Sequence, residues 1–237
     1  WFGLLDQFGA DPDVRVVLIT GSGRAFCAGA ALGGLDSVAG GGEFTDERNP
    51  HPYWYPMGFG KPIVAAIAGA CFGVGLQQAL CCDVRFVGDN LKLSTAYAKR
   101  GLIGEEAITW ILSRIVGMGV GVELMLSGRT IGAEEARRIG LANFVVPADK
   151  LFDEAYAYAR QLADGCSPWS MRVRKEQVYR GMMQGLGAVY AESQGLLDQA
   201  LAGPNFKEGV KAFLEKRPTN FPSLDPGQAR LPPWPAD

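Results

Sequence analysis

The sequence predicts an α/β fold, a parallel sheet followed by a helical C-terminal region, and three observations carry that reading. Val14 to Thr20 (VRVVLIT) is a continuous apolar, β-branched run closed by GSG, as expected of a strand buried on both faces. Lys61 to Ala68 (KPIVAAIA) and Val84 to Val87 repeat the signal, with a small-residue helix starting near Gly75 between them. Strand, crossover helix, strand is the pattern of a parallel sheet. From Glu105 onward helical periodicity dominates, interrupted by one short strand in LANFVV.

Taken in chain order, the opening WFGLLDQFGA reads as the end of a helix, so a further segment is expected upstream. Ser37 to Gly60, mostly GGGEFTDERNPHPYWYPMGFG, has no sustained period and reads as a surface loop able to cover a pocket. Helical patterns follow in EEAITWILSRIVG, GVELMLSG and AEEARRIG, then near 149–164, 167–183, 187–201 and 205–216. The last stretch, FPSLDPGQARLPPWPAD, is proline-rich and expected to be extended. The expected organisation is an α/β core over 1–147, a helical region over 148–220 and a tail over 221–237.

Composition narrows the function. The 237 residues suit one main domain with an appendage. With 48% hydrophobic residues, 20% charged residues and a net charge of −2, neither a disordered chain nor a polyanion-coating surface is expected. The five cysteines, at 27, 71, 81, 82 and 166, are odd in number and form no CxxC pair, as in a cytoplasmic protein with reduced thiols. One histidine, His51, leaves no HExxH helix, and there is no GxxxxGK[ST], so neither a metal centre nor ATP chemistry is expected. No apolar run reaches the ~20 residues of a membrane span, and no leader pattern opens the chain.

Two glycine-rich turns stand out. GSGRAFCAGA (21–30) contains a GxG, but the third glycine of a dinucleotide fingerprint falls at Phe26 and no acidic residue follows at the right distance. GACFGVG (69–75) runs into the helix of GLQQALCC without a nucleophile. Each is open to a purely structural reading, a tight turn or close helix packing. Each also leaves a strand end with residues small enough to expose backbone N–H groups, and two converging N–H groups form an oxyanion hole.

The proton-transfer group is sought in the next helix, where Glu105 steps onto Ile108, Leu112 and Val116, and Glu106 onto Trp110 and Ser113. Glu105 is thus expected on the apolar stripe, partly desolvated, and Glu106 as a first-turn carboxylate complementing the helix dipole. His51 reads as an exposed loop histidine, and Arg137 and Arg138 as a solvated face. Tyr53, Trp54, Tyr55, Met57 and Phe59 either line an acyl pocket or pack the loop down.

VRVVLITGSGRAFCAGA, KPIVAAIAGACFGVGLQQALCCDVRFVG, LSGRTIGAEEARRIGLANFVVP and EGVKAFLEKRPTNF, in that order and covering nearly the whole chain, resemble the crotonase superfamily, the enoyl-CoA hydratases and isomerases. The resemblance implies a crotonase-like (ClpP/crotonase) spiral of β-β-α repeats with a helical C-terminal region, assembled as a trimer or hexamer. It implies that the Ala30 and Val74 N–H groups hold a thioester oxygen and that Ala28 runs along the adenine end of CoA. Phe213 and Lys216 would reach the CoA of a neighbouring subunit, and Gln77, Tyr97 and Trp110 would line the substrate site.

The pattern also departs from the family. The two glutamates of the typical hydratases fall at Gln77 and Tyr97, Ala31 stands where Asp is common, and the family's N-terminal strand and adenine-pocket segment are not in this sequence. Glu105 matches the acid of members that shift double bonds and of a branch of hydratases. The expected activity is hydration or isomerisation of an enoyl-CoA with Glu105 as acid/base, CoA entering as part of the substrate and no separate cofactor. The alternatives are an acyl-CoA-binding homologue without catalysis and a hydrolase on the same scaffold.

Overall fold

In the computed structural model, residues 1–31, 36–37, 39–42 and 51–228 are described. The expectations for 43–50 of the aromatic loop and for 229–237 of the tail lie outside the described residues. The strands are β1 (Val17–Thr20), β2 (Ile63–Ile67), β3 (Ala70–Phe72), β4 (Val84–Gly88), β5 (Lys92–Ser94) and β6 (Phe144–Val146). The helices used below are α1 (Phe2–Ala10), α2 (Val74–Leu80), α3 (Ile108–Val116), α4 (Met118–Ser127), α5 (Ala133–Arg138), α6 (Leu151–Gly165), α7 (Pro168–Gly181), α8 (Leu186–Ala202) and α9 (Pro204–Glu215).

A four-stranded sheet has the order β1-β2-β4-β6, with β2 and β4 parallel and β4 and β6 parallel. Every residue of β2 is buried, which is why its sequence is continuously apolar instead of alternating. The parallel sheet is as expected. A second sheet, the parallel pair β3 and β5, is not legible as separate runs because each strand is three residues long. Gly69, at φ +61, separates β3 from β2 and packs so tightly that an added Cβ would collide with the Arg24 carbonyl oxygen. The result is strand, strand, helix in β2, β3 and α2, the unit of a β-β-α repeat.

The described residues form two compact units that interleave along the chain. One gathers Trp1–Val17, Met57–Ile63 and the residues from Tyr156 on; the other gathers Leu18–Pro56 and Val64–Ala155. This differs from a division at 147 and 148, and Lys61 supplies a physical reason. Its buried ammonium donates to the Phe8 and Asp11 carbonyls at 2.6 Å each, closing the end of α1, while Lys175 of α7 donates to the Lys61 carbonyl at 3.2 Å. In the same unit Arg15 donates to the carbonyls of Ala163 and Phe221, at 3.2 and 2.8 Å. The start of the tail is therefore packed, not extended: Phe221 and Leu224 are buried, and Pro226–Gln228 forms a 3₁₀ turn.

Also in that unit, α7 opens on Ser167, whose Oγ accepts from the Ser170 N–H at 3.1 Å, with Pro168 in the first turn. Glu176, nearly buried, pairs with Arg172 and Arg180 one turn to either side, at 3.2 and 3.3 Å. α8 has no buried residue, and Leu186, Tyr190, Leu197 and Leu201 lie exposed along it. All five cysteines are free thiols. Among the described residues no helix is long and apolar enough to cross a membrane.

In the second unit Arg85 locks β4 in register with the chain entering β6. Its side chain, buried, donates to the Leu141 carbonyl at 2.6 Å and the Cys82 carbonyl at 2.7 Å, while its backbone N–H donates to Asn143 Oδ1 at 2.8 Å. Arg85→Met keeps the apolar stem but strands two buried carbonyls, each worth about 1–3 kcal/mol when unpaired. The expected result is a stability loss of about 2–6 kcal/mol in denaturant unfolding; a loss below about 1 kcal/mol would contradict the lock.

Candidate active site

The two glycine-bearing turns predicted from the sequence meet in the second unit. The Phe26 and Cys27 N–H groups donate to the Ala70 carbonyl at 3.1 Å, and the Phe72 N–H returns to the Cys27 carbonyl at 3.0 Å. The first turn thus runs beside β3 as if it were a further strand, through a parallel bridge between Cys27 and Cys71. The glycines make this approach possible. A Cβ on Gly75 would stand 2.5 Å from the Cys27 carbonyl oxygen and 2.6 Å from Cys27 Cβ. Gly29, at φ +92, leaves a Cβ position 3.0 Å from the Phe72 carbonyl oxygen.

Ala28 and Ala30 lie exposed on the first turn, and Val74 is the first residue of α2 on the second. First-turn N–H groups have no acceptor within their own helix. Gly73, at φ +52, turns the chain from β3 into α2, and its N–H is tied to the Ser94 carbonyl at 3.2 Å. The end of β5 is held in turn by Ser94 Oγ donating to Gly128 O and Thr95 Oγ1 to Leu124 O, both at 2.9 Å. That anchor places Tyr97.

Tyr97 is 6% exposed. Burial pushes its hydroxyl far up in pKa, and the charges of Glu105, then Glu106, and the nearby Tyr53 push it further. The phenol therefore stays protonated throughout the neutral range, a hydrogen-bond group beside two carboxylates. The Tyr97 hydroxyl thus lies within electrostatic reach of Glu105 and of Tyr53 in the aromatic loop. No sequence period could have singled out Tyr53, since its loop has none.

The expectation that Glu105 and Glu106 open the helix is corrected. α3 starts at Ile108, because Glu106 and Ala107 both take left-handed conformations, φ +51 and +60, which cannot continue into a right-handed turn. Glu105 precedes the helix, is exposed, and shares no buried stripe with Leu112 and Val116. Its carbonyl accepts from the Ile108 N–H at 3.0 Å. Two consecutive non-glycine residues in this region cost about 1–3 kcal/mol each and cluster at functional sites. The turn 105–107 is the feature that the helical pattern concealed.

Gln77 on α2 is fully buried, and its Nε2 donates to the Glu106 carbonyl at 2.7 Å. Trp110 is half-buried on α3 with the Arg114 guanidinium over its ring at 3.7 Å. His51, half-buried instead of fully exposed, stacks on Tyr55 at 3.9 Å. Tyr55, Met57 and Phe59 are buried, whereas Tyr53 and Trp54 keep exposed surface. Phe213 and Lys216 belong to the other unit; Phe213 is 83% exposed, and Lys216 ends α9 in a left-handed conformation.

The close-packed turns, the neutral Tyr97 phenol and the carboxylates of Glu105 and Glu106 all belong to one compact unit. The profile of the enoyl-CoA hydratase/isomerase family matches residues 3–224. The chain is 35% identical over 224 residues to mevalonyl-coenzyme A hydratase of Beauveria bassiana, covering 89% of this chain and 79% of that one. It is 30% identical over 217 residues to 2,3-dehydroadipyl-CoA hydratase of Escherichia coli, covering 92% and 84%. Among solved structures, an enoyl-CoA hydratase from Polaromonas sp. superposes with a TM-score of 0.85 at 28% identity, covering 92% of this chain and 86% of that one. One from Bacillus anthracis gives 0.83 at 29%, covering 94% and 87%. The fold is a crotonase fold, and the chain is an acyl-CoA enzyme. It belongs to the enoyl-CoA hydratase/isomerase family.

Gly75→Ala tests the contact between the turns. The added methyl must push Cys27 aside, an overpacking worth about 1–3 kcal/mol. The expected outcome is a lowered melting temperature together with a loss of turnover larger than the loss of thioester binding. Unchanged turnover would mean that the spacing of the turns is not critical.

Proposed function

We propose that the protein hydrates enoyl-CoA thioesters through an enolate. The reading rests on one observation, the close packing of the turns that carry Ala30 and Val74, in the same unit as Tyr97, Glu105 and Glu106. The Ala30 and Val74 N–H groups receive the thioester oxygen as the electron pair moves onto it. Glu105 takes a proton from water as the water oxygen bonds to the β-carbon, and delivers a proton to the α-carbon. The exposure of Glu105 gives water access to it. No separate cofactor takes part; CoA is a portion of the substrate, with Ala28 beside its adenine end and Gln77, Tyr97 and Trp110 around the acyl site. The hydratase names of the similar proteins support hydration. Double-bond isomerisation is a second reading, favoured because Gln77 and Tyr97 carry no charge and a single shuttling base suffices for it.

A panel of 2-enoyl and 3-enoyl thioesters, with products identified by mass, separates the two. Glu105→Gln is expected to lose about 10²- to 10⁴-fold in turnover with binding retained, and Glu106→Gln to stay within about tenfold of wild type. Full turnover by Glu105→Gln would overturn the mechanism. Tight binding without turnover by the wild type would favour a binding protein.

The assembly follows from the same reading: α8 and α9 expose Leu186, Tyr190, Leu197, Leu201, Phe213 and Leu214. We assign these helices to a homotrimer or hexamer face, with Phe213 and Lys216 reaching the neighbour's CoA, in a reducing cytoplasm that suits five free thiols. Sedimentation is expected to give a trimer or its multiple. A monomer at micromolar concentration would contradict both the face and the trans contacts.

A further inference from the structure

We propose that Gln77 is a positioning residue that sets the acid-bearing turn, and that position 77 is built for a neutral donor and not for a carboxylate. The inference deepens the proposed function and rests on Glu105 as the proton carrier.

Gln77 is fully buried in the middle of α2. Its Nε2 donates to the Glu106 carbonyl at 2.7 Å and faces Cys81 Sγ at 3.6 Å. The amide orientation follows: turned over, its oxygen would oppose the Glu106 carbonyl oxygen. The Glu106 peptide is part of the left-handed pair that breaks the chain away from α3, and that break leaves Glu105 outside the helix beside Tyr97. Such a pair persists only where its surroundings over-determine it. A buried amide bonded to that carbonyl is such a constraint, and it ties the turn to the helix that begins at Val74. One side chain therefore connects both halves of the site.

The other amide oxygen reports the chemistry of the pocket. Gln77 Oε1 is buried and accepts no hydrogen bond from a described residue. A carboxylate at this position would confront the Glu106 carbonyl, with the Cys81 thiol, a weak donor, beside it. Neither group that Gln77 Nε2 meets, the Cys81 thiol or the Glu106 carbonyl, carries a positive charge. Desolvation would hold the new carboxyl in its protonated form to well above its ordinary range.

The test uses the full chain and a thioester that the wild type turns over. In Gln77→Glu the protonated acid still donates to the Glu106 carbonyl, whereas the anion cannot. The loss of turnover is therefore expected to be smallest at acid pH and to grow as pH rises through the raised pKa of the new carboxyl, falling on kcat more than on KM. The wild type lacks this limb. Gln77→Met, which can donate at no pH, is expected to lose about 10²-fold in kcat at every pH, the scale of a misplaced catalytic group.

Turnover of Gln77→Glu equal to or above wild type at every pH would overturn the proposal, because a carboxylate would then serve at 77. Full kcat in Gln77→Met would overturn it equally. Misfolding of both variants, read by circular dichroism, would assign Gln77 to stability and also overturn it. A Glu105→Gln loss alongside unaffected Gln77 variants would sink this inference alone, whereas a wild type without turnover on any enoyl thioester would remove the reading beneath it.

Discussion

The structure of the site depends on how closely two backbones approach. The turn from Cys27 to Gly29 lies against the turn from Phe72 to Gly75, with hydrogen bonds in both directions across β3. Only hydrogen fits at Gly75, where a methyl group would overlap Cys27. Close packing of this kind stores no chemistry of its own. It fixes how the first turn, the end of β3 and the start of α2 lie against one another.

The second half of the site is set by a chain of polar anchors, each buried or partly buried. Ser94 and Thr95 fasten the end of β5 to α4 and to Gly128, and Tyr97 follows directly. Gln77 fastens the Glu106 carbonyl, and with it the turn that carries Glu105. Neither anchor is charged. A neutral amide and a neutral phenol stand at the two positions that the sequence resemblance gives to glutamates, and the turn 105–107 carries two carboxylates, Glu105 and Glu106. A charge at the edge of a site, open to water, is less costly to maintain than one buried beneath it.

Similarity to hydratases of unlike acyl groups, named for mevalonyl-CoA and 2,3-dehydroadipyl-CoA, accompanies this change. Both names share a CoA thioester and differ in the acyl group. In the aromatic loop Tyr53 and Trp54 keep exposed surface, while Tyr55, Met57 and Phe59 are buried.

The parallel sheet was legible because its central strands read as unbroken apolar runs, Ile63–Ile67 most clearly, where every residue is buried, although β1 and β6 keep exposed residues. The helices from Leu151 to Glu215 were legible to within a few residues, since each carries its own period and Pro168 and Pro204 mark starts. Glycines 69 and 75 announced close backbone approach by their absence of side chains, whereas Gly73 supplies a positive φ. Three-residue strands such as β3 and β5 are too short to show a period and exist because each pairs with the other. The start of α3 was hidden for another reason: Glu105, Glu106 and Ala107 all favour helix, and intrinsic preferences of a few tenths of a kcal/mol per residue yield to a buried hydrogen bond from Gln77. Local sequence thus determined the sheet, the helices and the two turns, while a contact between residues 77 and 106, far apart in the chain, decided where the acid stands.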